Sequence, residues 1–188
     1  VARRAADFLR ATQRGDGSWP IDTDLSVWLT TGAVSALLAA GVGEAGWPAA
    51  ERRALRDWIL ARQQRAVHPF TGAAPGGWGW SHRSGAVPDA DDTPGALLAL
   101  HALDAGASEV RKASADGVRW LLDLQNRDGG IPTFCRGWGR MPFDRSCADL
   151  TAHAMRAWRA WRPVLPAALQ RRVERAHAAA LAFLTRSQ

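Results

Sequence analysis

The chain has no tyrosine, a single lysine at Lys112, and two cysteines, Cys135 and Cys147, in 188 residues. Two cysteines cannot build the multi-bridge framework of a small disulfide-stapled domain, so the fold has to rest on a packed core, and a reducing compartment is the simpler expectation. No apolar run approaches the roughly 20 residues that a bilayer-spanning helix needs, and no signal-peptide pattern opens the chain. These absences predict a cytoplasmic domain, peripheral on a membrane surface at most. With lysine almost absent, arginine carries nearly all the positive side of a net charge of +6. The arginines are dispersed through helical stretches and gather into no stripe, so nucleic acid is not expected as a partner.

What the chain does have is alanine, leucine and tryptophan. Apolar residues make up 47% of it, and Trp occurs ten times against five Phe. A composition rich in Ala, Leu and Arg and poor in β-branched residues favours helix over sheet, and the length suits one domain with a real core. One aromatic-x4-Gln element recurs, from Phe8 to Gln13, Trp58 to Gln63, Trp120 to Gln125 and Phe183 to Gln188, with successive glutamines 50, 62 and 63 residues apart. The first and third copies run directly into glycine turns, Gly15-Asp16-Gly17-Ser18-Trp19 and Asp128-Gly129-Gly130, whereas the second turn is delayed to Pro75-Gly76-Gly77-Trp78-Gly79-Trp80. Such a Gln near a helix end can hydrogen-bond free carbonyls or N–H groups of the neighbouring helix while an indole packs over it.

Between the glutamines, residues about 25 to 41 and about 94 to 104 are apolar on most sides, as buried helices are. The segments that end at Gln63, Gln125 and Gln188 carry Arg, Asp and Glu on one face and read as outer helices. Alternation of a buried helix with an amphipathic one predicts an all-α fold, an α/α toroid or partial α/α barrel of about seven helices in helical-hairpin repeats. The chain opens on Val1, not Met, and stops inside its fourth repeat. The expectation is a single domain over residues 1–188, truncated at both ends.

The sharpest chemical feature is Pro88-Asp89-Ala90-Asp91-Asp92-Thr93-Pro94. Carboxylates crowded at Asp89, Asp91 and Asp92 repel one another, and desolvation adds to the repulsion, so at least one is pushed toward keeping its proton near neutral pH. A held proton is a potential acid. The structural alternative is an ordinary helix start, with Thr93 as N-cap and Pro94 at the first helical position. Further along, Asp149 and His153 are four residues apart, hence on one helical face.

The segments Phe8 to Trp19 and Trp120 to Gly130 resemble the QW repeats of the class II triterpene cyclases, the squalene-hopene cyclases among them, and the resemblance runs over almost the whole chain. It implies an α/α barrel. Asp89-Ala90-Asp91-Asp92-Thr93 is similar to that family's DxDDT motif, which implies that Asp91, flanked by Asp89 and Asp92, protonates an alkene to start cyclisation of a linear isoprenoid. Asp149-Leu150-Thr151-Ala152-His153 resembles the DVTAH segment, implying that His153 pairs with the acid. The same resemblance implies that Trp28, Trp80 and Phe134 line the substrate cavity, offering π faces to migrating positive charge. It implies no cofactor and no metal, an apolar isoprenoid as the partner, and leaves a homodimer and a peripheral membrane contact open.

Three departures from the family pattern bear on the substrate. Trp28-Leu29-Thr30 has leucine where the family commonly has a supporting aspartate. Ser81 to Val87 is polar or small where the family is rich in Phe and Tyr, and the stretch Trp138-Gly139-Arg140-Met141-Pro142-Phe143 is not the common hopene-forming pattern. Two other readings compete with the cyclase. One is a zinc protein like the prenyltransferase β subunits, with Cys147, Asp149 and His153 as ligands. The other is a non-catalytic toroid that binds a lipid or a protein.

Overall fold

The computed structural model describes residues 2–19, 24–42, 47–136 and 142–188. Within the Trp138 to Phe143 stretch singled out above, residues 138–141 lie outside the described ones, as does Val1. The chain is all-α. Its helices are α1 (Ala2–Thr12), α2 (Ser26–Ala39), α3 (Ala49–Leu60), α4 (Asp92–Asp104), α5 (Ser108–Leu124), α6 (Ala148–Trp161) and α7 (Ala167–Arg186). Two short strands, β1 (Ile131–Pro132) and β2 (Ser146–Cys147), pair antiparallel with Ile131 opposite Cys147. No described helix is long and apolar enough to cross a membrane.

The helices from α2 to α7 form two rows. α2, α4 and α6 pack side by side as the inner row, while α3, α5 and α7 lie behind them. α4 sits at the centre, and nearly every position from Asp92 to Leu100 is buried, in agreement with its apolar pattern. α5 is amphipathic and buries Val110, Val118 and Leu121 while Arg111 and Arg119 stay outside. α2 departs from expectation. It buries only Val27, Thr31 and Val34 and exposes Leu29, Leu37 and Leu38. Its sequence is as apolar as that of α4, but α4 packs against it on one side only, and burial follows the number of neighbours as well as hydropathy.

The repeated glutamines act as rivets between hairpins. The Gln63 amide donates to the carbonyl of Gly76 in its own turn (2.8 Å) and to that of Ala113 in the middle of α5 (2.8 Å). Gln125 repeats this with Gly129 (2.8 Å) and Ala176 of α7 (2.9 Å). The acceptors are thus mid-helix carbonyls with a lone pair to spare, not the free N–H groups of a helix start. The turn tryptophans also follow one rule, since Trp78 and Trp19 each donate an indole N–H to the carbonyl four residues before their glutamine, Ile59 (2.8 Å) and Leu9 (2.7 Å). Gly76 has φ +121°, and a Cβ there would lie 2.9 Å from the Asp116 carbonyl, so only glycine lets the turn lie this close to α5.

Candidate active site

The inner helices start side by side, and the way α4 starts decides which aspartate is buried. Asp89 accepts the N–H groups of Asp91 (2.9 Å) and Asp92 (2.7 Å) through one carboxylate oxygen, satisfying donors that the helix cannot. Asp89 is therefore the capping side chain, and Thr93 is not. The Thr93 hydroxyl accepts the Trp78 N–H (2.9 Å) and donates to the Trp78 carbonyl (3.1 Å), pinning the glycine turn to α4. Thr151 does the same work at α6, accepting the Ile131 N–H (2.9 Å) and donating to the Cys147 carbonyl (2.6 Å).

This geometry sends Asp89 and Asp92 into the core, at 2% and 3% exposure, and turns Asp91 outward to an exposed position. Burial, followed by the charge of Asp89, raises the pKa of Asp92 to about 10. Asp89 is raised to about 7, again by burial, with its bonds from Asp92 and Asp91 pulling the other way. Because Asp89 accepts two backbone N–H groups while one Asp92 oxygen is buried without a partner, the proton of the pair belongs on Asp92.

The other site residues gather around this start to different degrees. The Trp28 indole N–H donates to the exposed Asp91 carboxylate at 3.1 Å. Trp80, half-buried, holds the start of α2 in place because its carbonyl accepts the N–H groups of Val27 (3.0 Å) and Trp28 (3.3 Å). His153 is half-buried on α6, and its pKa is lowered first by burial and further by Arg156. The charge of Asp91 and a hydrogen bond to its backbone work against that shift. Asp149 is exposed and accepts the Cys147 thiol at 2.6 Å, which holds its carboxyl below the usual range and pushes the thiol up. Phe134 packs edge-on against Phe143 with ring centroids 5.2 Å apart. Among the described residues no set of three or more His, Cys, Asp or Glu side chains is arranged to hold a metal ion, so the Cys147, Asp149 and His153 ligand set of the zinc reading is not assembled.

Two features escaped the sequence reading. Gly95 faces α2, where a Cβ would lie 3.0 Å from the Thr31 hydroxyl and 3.8 Å from His153 Nε2, so its missing side chain lets α2, α4 and α6 converge on Asp91. Nothing local marks such a glycine, because the need for it arises from a neighbouring helix. The second is a polar cluster at the start of α2. Asp24 accepts the Ser26 N–H (3.0 Å), His82 Nδ1 approaches both Ser26 Oγ (2.9 Å) and Asp24 (3.3 Å), and Arg83 reaches Asp24 at 3.2 Å. The spacing Asp24-x-Ser26 ahead of an apolar helix was its one available signal. A cleft of about 720 Å³, lined by Gln63, Lys112, Arg119, Trp120, Asp123 and Arg136 among others, lies at the glycine turns and includes none of the three aspartates.

The chain is similar to several terpene cyclases. A terpene cyclase-glycosyl transferase fusion protein of Humicola fuscoatra is 31% identical over 147 residues, 71% of this chain and 11% of that protein. Sporulenol synthase of Bacillus subtilis is 37% identical over 82 residues, covering 42% of this chain and 12% of the relative. The squalene-hopene cyclase of Alicyclobacillus acidocaldarius is 31% identical over 145 residues, 73% of this chain and 21% of its own length. The chain thus spans between about a tenth and a fifth of these curated relatives. Among solved structures, a family 10 polysaccharide lyase from Cellvibrio cellulosa matches with a TM-score of 0.57 at 18% identity, over 76% of this chain and 47% of that one, a likeness of fold alone. Residues 25–161, which hold all three inner helices and the aspartate cluster between them, match the squalene-hopene cyclase C-terminal domain, and the chain belongs to that family.

Proposed function

We propose that this chain carries the acid of a class II terpene cyclase and that Asp91 starts the cyclisation of a linear isoprenoid by protonating a carbon–carbon double bond. The observation that supports it is the position of Asp91, an exposed carboxyl with an indole N–H on one oxygen and a buried, protonated Asp92 next to it in the chain. A protonated neighbour adds no negative charge, so the carboxylate left after proton transfer is repelled less than it would be among three ionised aspartates. In the proposed step Asp91 reacts in its protonated form: its O–H bond breaks as the alkene π electrons form a new C–H bond, Asp91 is left as the carboxylate, and the cation propagates through ring closures until it loses a proton to a base. Such cations survive only where water is excluded and aromatic faces are near, which Trp28 and Trp80 supply in this reading.

Leu29 in place of a carboxylate and the polar Asp24, Ser26, His82 and Arg83 cluster at the start of α2 argue against squalene itself and for a shorter or differently shaped polyprene. The same features favour the second reading, a non-catalytic toroid that binds a lipid. Product analysis by mass spectrometry, using the full-length protein with squalene and a series of shorter polyprenes, separates the two. Asp91→Asn is expected to lower product formation by roughly 100- to 10,000-fold, the range of general-acid catalysis. Equal products from both proteins, or none from either with any substrate, support the non-catalytic toroid.

A further inference from the structure

We infer that Trp28 is a positioning residue for the acid and that it acts through its indole N–H as well as through its ring. The inference rests on the reading of Asp91 as the proton donor. Among the described residues the Trp28 indole is the one side chain that donates to the Asp91 carboxyl, at 3.1 Å. His153 meets Asp91 from α6 through a hydrogen bond to the Asp91 backbone and through the charge of its carboxyl, so of the two neighbours Trp28 is the one whose hydrogen bond ends on a carboxyl oxygen.

The placement of Trp28 is built into the fold. Its own N–H is tied to the Trp80 carbonyl (3.3 Å), and its carbonyl accepts the Thr31 hydroxyl (3.1 Å). Thr31 in turn lies against Gly95 of α4, where a Cβ would come within 3.0 Å of its hydroxyl, so the indole is aimed at Asp91 by a close contact between two helices. The next residue, Leu29, can neither donate a hydrogen bond nor carry charge, which leaves Trp28 as the polar link from the α2 start to the acid. A hydrogen bond that favours the carboxylate is stronger after proton transfer than before it, so it stabilises the transition state more than the bound substrate.

Trp28→Phe separates the two roles of this side chain, because phenylalanine keeps an aromatic face and deletes the donor. In the full-length protein the variant is expected to lower kcat by roughly 10- to 100-fold, the range set by hydrogen bonds to charged groups, with KM changed little. A kcat within threefold of the parent, or a loss confined to KM, overturns the inference and leaves Trp28 as cavity lining. Asp91→Asn is run alongside. If it abolishes turnover while Trp28→Phe does not lower it, the acid reading survives and the positioning role fails; if Asp91→Asn retains turnover, the acid reading itself fails. A readout independent of activity is the ¹⁵N-labelled indole N–H resonance of Trp28, assigned by its loss in Trp28→Phe. It is expected to move upfield in Asp91→Ala, which removes the acceptor, and an unmoved resonance overturns the contact.

Discussion

The starts of α4 and α6 are built on one plan with different contents. Asp89-Ala90-Asp91-Asp92-Thr93 and Cys147-Ala148-Asp149-Leu150-Thr151 share the threonine that pins a glycine turn through the backbone N–H of Trp78 or Ile131. They also share an exposed aspartate two residues earlier. They differ at the two positions where α4 turns a side chain inward. Where α6 places Cys147 and buries Leu150, α4 buries Asp89 and Asp92. The α6 start carries leucine at the position of Asp92, so a buried carboxyl there is not a requirement of the plan, whereas Asp89 caps the two N–H groups that open α4. Burying the Asp92 carboxyl with one oxygen unpaired costs stability, which fits the use proposed for it beside the acid.

The largest effect is expected from copying α6 into α4. Asp92→Leu should stabilise the fold by about 1–3 kcal/mol, the cost of burying a polar group that lacks a hydrogen-bond partner, while lowering cyclase turnover by roughly 100-fold. Thermal denaturation beside product analysis tests both halves, and a variant that is less stable and fully active breaks the comparison. The pH dependence sharpens it. Burial keeps Asp92 and Asp89 protonated to higher pH in the folded chain than in the unfolded one, so the folded state binds more protons between about 4 and the raised values near 7 and 10. Stability contributed by this pair therefore falls as pH rises through that window. Asp92→Asn removes one of the two groups, so its stability relative to the parent should grow from pH 5 to pH 9. A constant difference across that range contradicts the burial of a proton there.

Next in size is the shared element. Thr93→Val and Thr151→Val each strand a buried backbone N–H, of Trp78 and Ile131, and each should cost about 1–3 kcal/mol. Denaturant unfolding that gives unequal losses would show that the two starts are not equivalent. The smallest stability change is expected at Gly95. Gly95→Ala gains helix propensity of about 1 kcal/mol, offset by the Cβ contact at 3.0 Å from Thr31, so stability should stay within about 1 kcal/mol. Turnover should still drop roughly tenfold, because a shift of α2 loosens Trp28 from Asp91. Unchanged turnover removes Gly95 from the positioning chain.

Much of the architecture was legible because it rests on local, periodic signals. The apolar pattern of α4, the amphipathic pattern of α5 and the repeated glutamines each predict what their own segment does. The exposure of Leu29, Leu37 and Leu38 was not legible, since it depends on which helices flank α2. At the site, the cluster Asp89, Asp91 and Asp92 announces a shared proton, but sequence spacing does not say which carboxyl holds it. Capping by Asp89 decides that, by turning Asp92 inward and Asp91 out. Thr93 looks like a cap in one dimension and is a cross-link in three.

By itself the order of residues determined that this chain is helical, that its helices come in hairpins, and that an acidic group opens a buried helix, because helix periodicity and glycine turns act over a few neighbours. Only the tertiary structure decided that Trp28 of α2, Asp91 just ahead of α4 and His153 of α6 meet at one place, and that the proton of the buried pair belongs on Asp92 beside it. Those outcomes depend on close approach at Gly95 and on the loss of water around Asp92, and both are properties of packed surfaces that no single segment possesses.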